Sequence, residues 1–139
     1  MTEVTAASTS VARLKHGVGT LLCIDDRTYA LATRVEWLRT HGFTVLVAAS
    51  IESALDALLT SPIDCMLLDC HMAGAALLAN LLKRIRPSLP VVMLASYCGV
   101  PCPLLGVVTA CVGKAEPPVA LLHKLRSALR TGDPGQQIA

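Results

Sequence analysis

The chain has 139 residues, of which 53% are apolar, 16% charged and 3% aromatic, and its formal net charge is +2. A charged fraction well below the usual ~25% excludes a chain that is disordered over most of its length. The small net charge and scarce aromatics argue against a nucleic-acid surface. The length predicts one domain, since a single core usually covers about 100–200 residues.

The apolar excess raises the question of a membrane span. The longest uncharged stretch, residues 87–113, is 27 residues long, and a spanning helix needs about 20. Four prolines interrupt the stretch, and each would break the hydrogen-bond ladder of a lipid-exposed helix. We therefore expect no membrane span. The polar N-terminus has no secretory signal, so we expect a cytoplasmic protein with reduced cysteines.

Short apolar runs alternate with helix-like stripes along the chain. Five runs have the length and composition of buried strands: Thr20–Ile24, Phe43–Ala48, Cys65–Leu68, Val91–Ala95 and Val107–Val112. Helices are predicted over residues 28–41, 51–60, 77–85 and 117–130 from their apolar spacing. This alternation predicts an α/β fold, a doubly wound five-stranded parallel sheet of flavodoxin-like (βα)5 type, sandwiched between two layers of helices.

One segment breaks the alternation. A helix is expected between strands four and five, but residues 97–106 read YCGVPCPLLG. The glycine and prolines leave at most one helical turn, so this helix is predicted to be shortened or absent. We divide the chain into a flexible tail over residues 1–17, a domain over residues 18–130 and a flexible tail over residues 131–139.

Charged side chains follow three of the predicted strands. Asp25 and Asp26 come after strand one, Asp69 after strand three and Lys114 after strand five. Ligands of doubly wound sheets bind beyond the carboxyl ends of the strands, so these side chains are expected at one edge. Three clustered carboxylates repel unless a cation joins them, and Mg²⁺ prefers such oxygen ligands. A carboxylate beside a metal and a lysine can attack phosphorus and form an aspartyl phosphate.

The residues at this edge also carry a resemblance to a known family. From Thr20 to Arg130 the chain resembles the receiver domain of bacterial two-component response regulators, which has the CheY-like fold. The resemblance rests on the following segments in this order: LLCIDDR over residues 21–27, PIDCMLLDCHM over residues 62–72, LPVVMLAS over residues 89–96, and Lys114. It extends over about four-fifths of the chain.

The resemblance implies roles for five residues. Asp69 would be the phosphoacceptor and would also contact Mg²⁺. Asp26 would bind the metal directly, Asp25 mainly through water, and the His71 carbonyl would complete the site. Lys114 would pair with the phosphoryl oxygens. The phosphodonor would be a histidine kinase or a phosphotransfer protein, and the output would act on a downstream effector protein. The receiver itself would be a monomer or a weak homodimer.

Two strand positions depart from the family pattern. The hydroxyl residue that ends strand four in the family falls on Ala95. Ser96 is a stand-in only if the strand end twists, since neighbouring strand residues point to opposite faces. The aromatic residue of strand five falls on Cys111. These departures put the usual signalling face in doubt.

The sequence leaves several functions open. The leading hypothesis is a stand-alone receiver, because only nine residues follow Arg130 and output would pass through a partner. The alternative is a degenerate receiver that binds protein without phosphorylation. An aspartate-nucleophile phosphohydrolase resembling haloacid dehalogenases is disfavoured, since those enzymes need Asp-x-Asp after strand one and this chain has Asp25-Asp26-Arg27. We therefore do not expect an enzyme.

A group of cysteines near the same edge supports a weaker hypothesis. Cys70, His71, Cys98 and Cys102 follow strands three and four. They could form a thiol and imidazole site for a metal or for redox chemistry. Their spacing matches no zinc motif, and cysteine is also a common buried residue.

Overall fold

The fold is taken from a computed structural model, which describes residues 18–96 and 108–131. The strands within these ranges are β1 (Gly19–Ile24), β2 (Phe43–Ala48), β3 (Cys65–Asp69), β4 (Val91–Ala95) and β5 (Ala110–Gly113). The helices are α1 (Thr28–Thr40), α2 (Ile51–Thr60), α3 (Ala75–Ile85) and α4 (Pro118–Thr131).

The strands form one parallel sheet in the order β2-β1-β3-β4-β5. The predicted doubly wound α/β fold is confirmed. Ile24 pairs with Leu68, so the residues that follow β1 and β3 emerge side by side. The strand order reverses between these two strands, and such switch points leave a crevice at the carboxyl edge.

Alternate residues of the central strands supply two separate cores. Leu22, Leu68 and Met93 belong to the core on the face that α2 and α3 cover. Leu21, Leu67 and Leu94 belong to the core on the opposite face, together with side chains of α1 and α4. Because a strand alternates its side chains between faces, a run that is apolar throughout fills both cores. The high apolar content of the sequence is therefore explained by the residues that fill these two cores.

The fifth strand is shorter than predicted, since it begins at Ala110 rather than Val107. Thr109 explains part of the difference. Its amide donates to the Val91 carbonyl at 2.7 Å, but its hydroxyl, rather than a backbone carbonyl, accepts from the Val91 amide at 3.0 Å. A side chain thus takes part in the pairing at this end of β5. The predicted loss of the helix over residues 97–106 lies outside the described residues.

Two helix boundaries have clear local causes. The Ser50 hydroxyl accepts from the Ser53 amide at 3.1 Å, and the Ser53 hydroxyl accepts from the Ser50 amide at 3.2 Å, which together cap α2. Gly74 precedes α3 with φ +85°, a conformation that side chains disfavour. A Cβ at this position would lie 2.7 Å from Cγ1 of Ile51, so only glycine fits.

The cysteines differ from the sequence expectation in one respect. Cys111 is disulfide-bonded, whereas reduced cysteines were expected throughout. Cys111 lies on the last strand of the sheet and is only half-buried, so its sulfur can be reached for oxidation. Cys23 and Cys65 are buried free thiols in central strands.

Within residues 18–96 and 108–131, no helix combines the length and the apolar character needed to cross a membrane.

Candidate functional site

Two carboxylates lie at the carboxyl edge of the sheet where the strand order reverses. Asp25 follows β1, and its amide donates to the Ala48 carbonyl at 3.2 Å, which continues the ladder to β2. Asp69 is the last residue of β3 and pairs with Leu94. Both carboxylates are only 1% exposed. Buried charges of one sign require partners of the opposite sign.

Three donors bind the Asp69 carboxylate. Lys114 Nζ lies 2.8 Å from Oδ2. Arg27 Nη2 lies 2.5 Å from the same oxygen. The His71 amide donates to Oδ1 at 2.8 Å. Both oxygens of the proposed phosphoacceptor therefore have a protein partner.

Asp25 is neutralised by two arginines. Its Oδ1 accepts from the Arg27 amide at 3.0 Å and lies 3.5 Å from Arg27 Nε. Its Oδ2 lies 3.4 Å from Arg34 Nη1. Arg27 thus contacts both buried carboxylates, while Arg34 and Lys114 each contact one.

These contacts shift the pKa values of Asp69 and Arg27. Burial alone would raise the pKa of Asp69. The hydrogen bonds from Lys114, the His71 amide and Arg27, with the charge of Lys114, outweigh burial and hold that pKa below its ordinary value. The hydrogen bond and charge of Asp69, followed by those of Asp25, raise the pKa of Arg27 above its usual range. The site is therefore built around ionised groups.

The remaining predicted site residues lie at its rim. Asp26 is exposed. Ser96 is also exposed, and its Oγ lies 3.0 Å from Nε2 of His71. Ala95 is buried, and its carbonyl accepts from the Lys114 amide at 2.7 Å. The Ser96 hydroxyl is thus engaged with an exposed imidazole, while an alanine methyl occupies the buried position before it.

The structure describes only two of the four residues in the proposed thiol and imidazole site. Cys70 packs against one core and His71 is exposed, and Cys98 and Cys102 lie outside the described residues. Across the described part of the chain, no three histidine, cysteine, aspartate or glutamate residues form a group suited to a metal ion.

Sequence reasoning did not identify Arg27 and Arg34 as part of this site. A signal for them was present, since Arg27 directly follows the aspartate pair. Arg34 lies seven residues later, about two helical turns, so Arg34 on α1 and Arg27 just before the helix lie on the same side of it. Two cations on that side would face two carboxylates beyond the strand ends.

The basic side chains of the site also line a cavity. Its volume is about 610 Å³, and Arg27, Arg34, Trp37, Lys114 and Leu121 are among the residues of its wall. It lies between α1 and the start of α4, next to the three cations of the site.

The family resemblance implies a Mg²⁺ ion at this site. The contacts of the Arg27 guanidinium test whether the carboxylates there suit a cation. One cationic group contacts Asp25 and Asp69 together, at 3.5 Å and 2.5 Å. The position between these carboxylates is therefore suited to a cation, and carboxylate oxygens are preferred Mg²⁺ ligands. The chemistry of Asp25 and Asp69 fits the ion, but the predicted third carboxylate, Asp26, does not complete a three-residue metal group with them in the described part of the chain. Arg27 supplies the positive charge in this structure.

Comparison with known proteins gives consistent results. The response regulator receiver domain family matches residues 21–101, more than half of the 139-residue chain. No match was found among curated protein sequences.

Solved structures of receiver proteins share the fold at low sequence identity. A CheY-like receiver domain protein from Methanospirillum hungatei has a TM-score of 0.72 and 21% identity, over 82% of this chain and 95% of that one. The response regulator TrrA from Thermotoga maritima, solved with Mg²⁺ and BeF, has a TM-score of 0.72 and 19% identity, over 79% and 98%. Full-length FixJ from B. japonicum has a TM-score of 0.77 and 22% identity, over 87% and 62%.

Together with the family match, the parallel sheet and the paired carboxylates at its switch point establish that this chain belongs to the response regulator receiver domain family.

Proposed function

We propose that the chain is a receiver in a two-component phosphorelay that accepts a phosphoryl group on Asp69. The observation that carries the proposal is the Asp69 carboxylate, which ends a central strand with Lys114 Nζ 2.8 Å from Oδ2. An ionised carboxylate is the nucleophile required, and an ammonium group at its oxygen can neutralise charge on an incoming phosphoryl group.

The phosphoryl transfer involves one bond made and one broken. The Asp69 oxygen attacks the phosphorus of a phosphohistidine on a histidine kinase or phosphotransfer protein. The P–N bond breaks, its electron pair stays on the imidazole nitrogen, and that nitrogen then takes a proton. Lys114 pairs with the phosphoryl oxygens, and the His71 amide holds the second carboxylate oxygen.

A magnesium ion held by Asp25, Asp26 and Asp69 with the His71 carbonyl would supply further neutralisation of the phosphoryl oxygens. The phosphorylated protein then signals through altered contacts with a downstream protein.

Intact-mass measurement tests this function. The chain is incubated with Mg²⁺ and a small phosphodonor such as acetyl phosphate. We expect one added phosphoryl group on the wild type and none on Asp69→Asn. Asp56→Asn is the matched control, because Asp56 is an exposed aspartate on α2, and it should keep the adduct. An adduct that persists in Asp69→Asn contradicts the assignment.

Two observations favour a second candidate, a receiver that binds protein without phosphorylation. The buried Ala95 stands where the family has a hydroxyl group, and both buried carboxylates already have cationic partners from the chain. Absence of any adduct on the folded wild type, at every donor concentration, would favour this candidate over the first.

A further inference from the structure

Arg27 makes a contact that none of the predicted roles includes. Its Nη2 lies 2.5 Å from Asp69 Oδ2, and its Nε lies 3.5 Å from Asp25 Oδ1. A single guanidinium therefore joins the two buried carboxylates of the site. It contacts the same Asp69 oxygen as Lys114, so that oxygen is covered from two sides.

The charges of the buried site are already satisfied. Two buried carboxylates, Asp25 and Asp69, face three cations, Arg27, Arg34 and Lys114. Clustered carboxylates repel one another only where no cation joins them. In this conformation the chain itself supplies the cations. Even with the exposed Asp26 counted, three carboxylates face three cations, so the site offers a metal ion no net negative charge.

Of the three cations, Arg27 is the one placed to leave. Its side chain is 53% exposed, whereas Arg34 is 18% and Lys114 is 23% exposed. Its backbone amide is bound separately by Asp25 Oδ1 at 3.0 Å. The side chain can therefore turn into solvent while the backbone keeps this hydrogen bond. When it does so, Asp69 keeps Lys114 and the His71 amide, and Asp25 keeps Arg34, so neither buried carboxylate is left without a cationic partner.

We infer that Arg27 is a displaceable cap that occupies the cation position of the site and competes with Mg²⁺. The capped site binds Mg²⁺ weakly and shields Asp69, and displacement of Arg27 opens it. This inference rests on the proposed function only for its consequence on phosphorylation, since competition between Arg27 and Mg²⁺ is a property of binding alone.

Mg²⁺ binding measured by titration calorimetry at constant ionic strength tests the inference. Arg27→Ala should bind Mg²⁺ about tenfold more tightly than the wild type, which is the gain expected when only about a tenth of the wild-type molecules are uncapped. Trp37 gives a second signal, because it is the single tryptophan of the chain and lines the same cavity as Arg27. Its emission should change at lower Mg²⁺ concentration in the variant.

Arg126→Ala is the matched control, since Arg126 is an exposed arginine on α4. It removes the same charge from the chain, so a general charge effect would appear in both variants. We expect the Mg²⁺ affinity of this control to equal that of the wild type. Equal affinities in Arg27→Ala and the wild type, with both proteins folded, would overturn the inference. Equal gains in both variants would overturn it too.

A second variant keeps the test decisive if Arg27→Ala does not fold. Arg27→Lys retains the charge but loses the planar fork that allows one group to contact two carboxylates. Its Mg²⁺ affinity should exceed that of the wild type by a smaller factor. An affinity no higher than the wild type in this variant would then contradict the inference.

Phosphorylation separates this inference from the proposed function. The rate of adduct formation with acetyl phosphate should rise in Arg27→Ala if both are right. Tighter Mg²⁺ binding without any adduct would uphold the cap and reject the phosphoacceptor role. An adduct on Asp69 with unchanged Mg²⁺ binding would uphold the function and reject the cap.

Discussion

The Asp69 carboxylate is buried and ionised at once, a combination that needs strong local compensation. Charge-assisted hydrogen bonds from Lys114 and Arg27 and a backbone bond from His71 supply it. A carboxylate stripped of all these donors would be an unpaired buried charge, which costs more than the bonds themselves contribute. The chemistry of the site therefore depends on side chains from three separate segments of the chain.

The lowered pKa of Asp69 makes stability depend on pH in a defined direction. The unfolded carboxyl titrates near the ordinary value of 3.8, and the folded one titrates below it. Between these values the unfolded state binds more protons, so the contribution of Asp69 is complete above 3.8 and is lost as pH falls through the folded pKa. The free energy of unfolding should fall more steeply below pH 3.8 in the wild type than in Asp69→Asn.

Urea unfolding of both proteins, followed at neutral pH and at several values below pH 3.8, measures this difference in slope. Parallel curves for the two proteins would show that Asp69 does not titrate differently in the folded and unfolded states.

At the scale of elements, the turn between β3 and α3 holds the site in place. It carries His71, whose amide binds Asp69, and it ends at Gly74 with φ +85°. The packing of α2 limits this turn, because Cγ1 of Ile51 would lie 2.7 Å from a Cβ added at Gly74. Two neighbouring elements thus impose a glycine beside the site.

Gly74→Ala should lower the free energy of unfolding by about 2–3 kcal/mol, because the left-handed backbone and the steric contact both act against a side chain. Gly42→Ala is the matched control. Gly42 has φ +93°, but its nearest neighbour would lie 4.0 Å from an added Cβ. It should lose only about 1–2 kcal/mol, the cost of the backbone conformation. Equal losses in urea unfolding would show that Ile51 imposes no steric limit.

At the scale of the whole molecule, the two-faced sheet isolates its interior from solvent. Burial raises the pKa of the Cys23 and Cys65 thiols to about 12, with small contributions from nearby charges. The thiolate is the reactive form, so both thiols are inert while the sheet is intact. Their reactivity consequently reports on opening of the entire core.

Iodoacetamide at pH 8 should leave Cys23 and Cys65 unmodified in the native protein and label both in denaturant, as read by peptide mass spectrometry. Above the ordinary thiol pKa of 9.0 the unfolded state loses these protons first. Their contribution to stability is therefore complete below pH 9.0 and declines as pH rises toward about 12. Native labelling at the rate of the unfolded chain would contradict the buried arrangement.

The sequence alone determined the alternation of strands and helices. Each element carries its signal locally, as continuous apolar runs, 3.6-residue stripes and the Ser50 cap. It also indicated that Asp25, Asp69 and Lys114 lie at one edge, because each follows a strand and the carboxyl ends of parallel strands meet there. The apolar run predicts too early a start for β5, since the Thr109 hydroxyl takes part in pairing that apolar content does not reveal.

The tertiary structure alone decided which charges meet. Arg27 is adjacent to Asp26 in sequence, yet its guanidinium contacts Asp25 and Asp69, whose strands the register of the sheet brings side by side. The sequence places Arg27 beside the aspartate pair, but which carboxylates its long side chain contacts follows from the electrostatic balance of groups that are distant along the chain. The sequence thus predicted the acidic edge, and the fold supplied the cation that covers it.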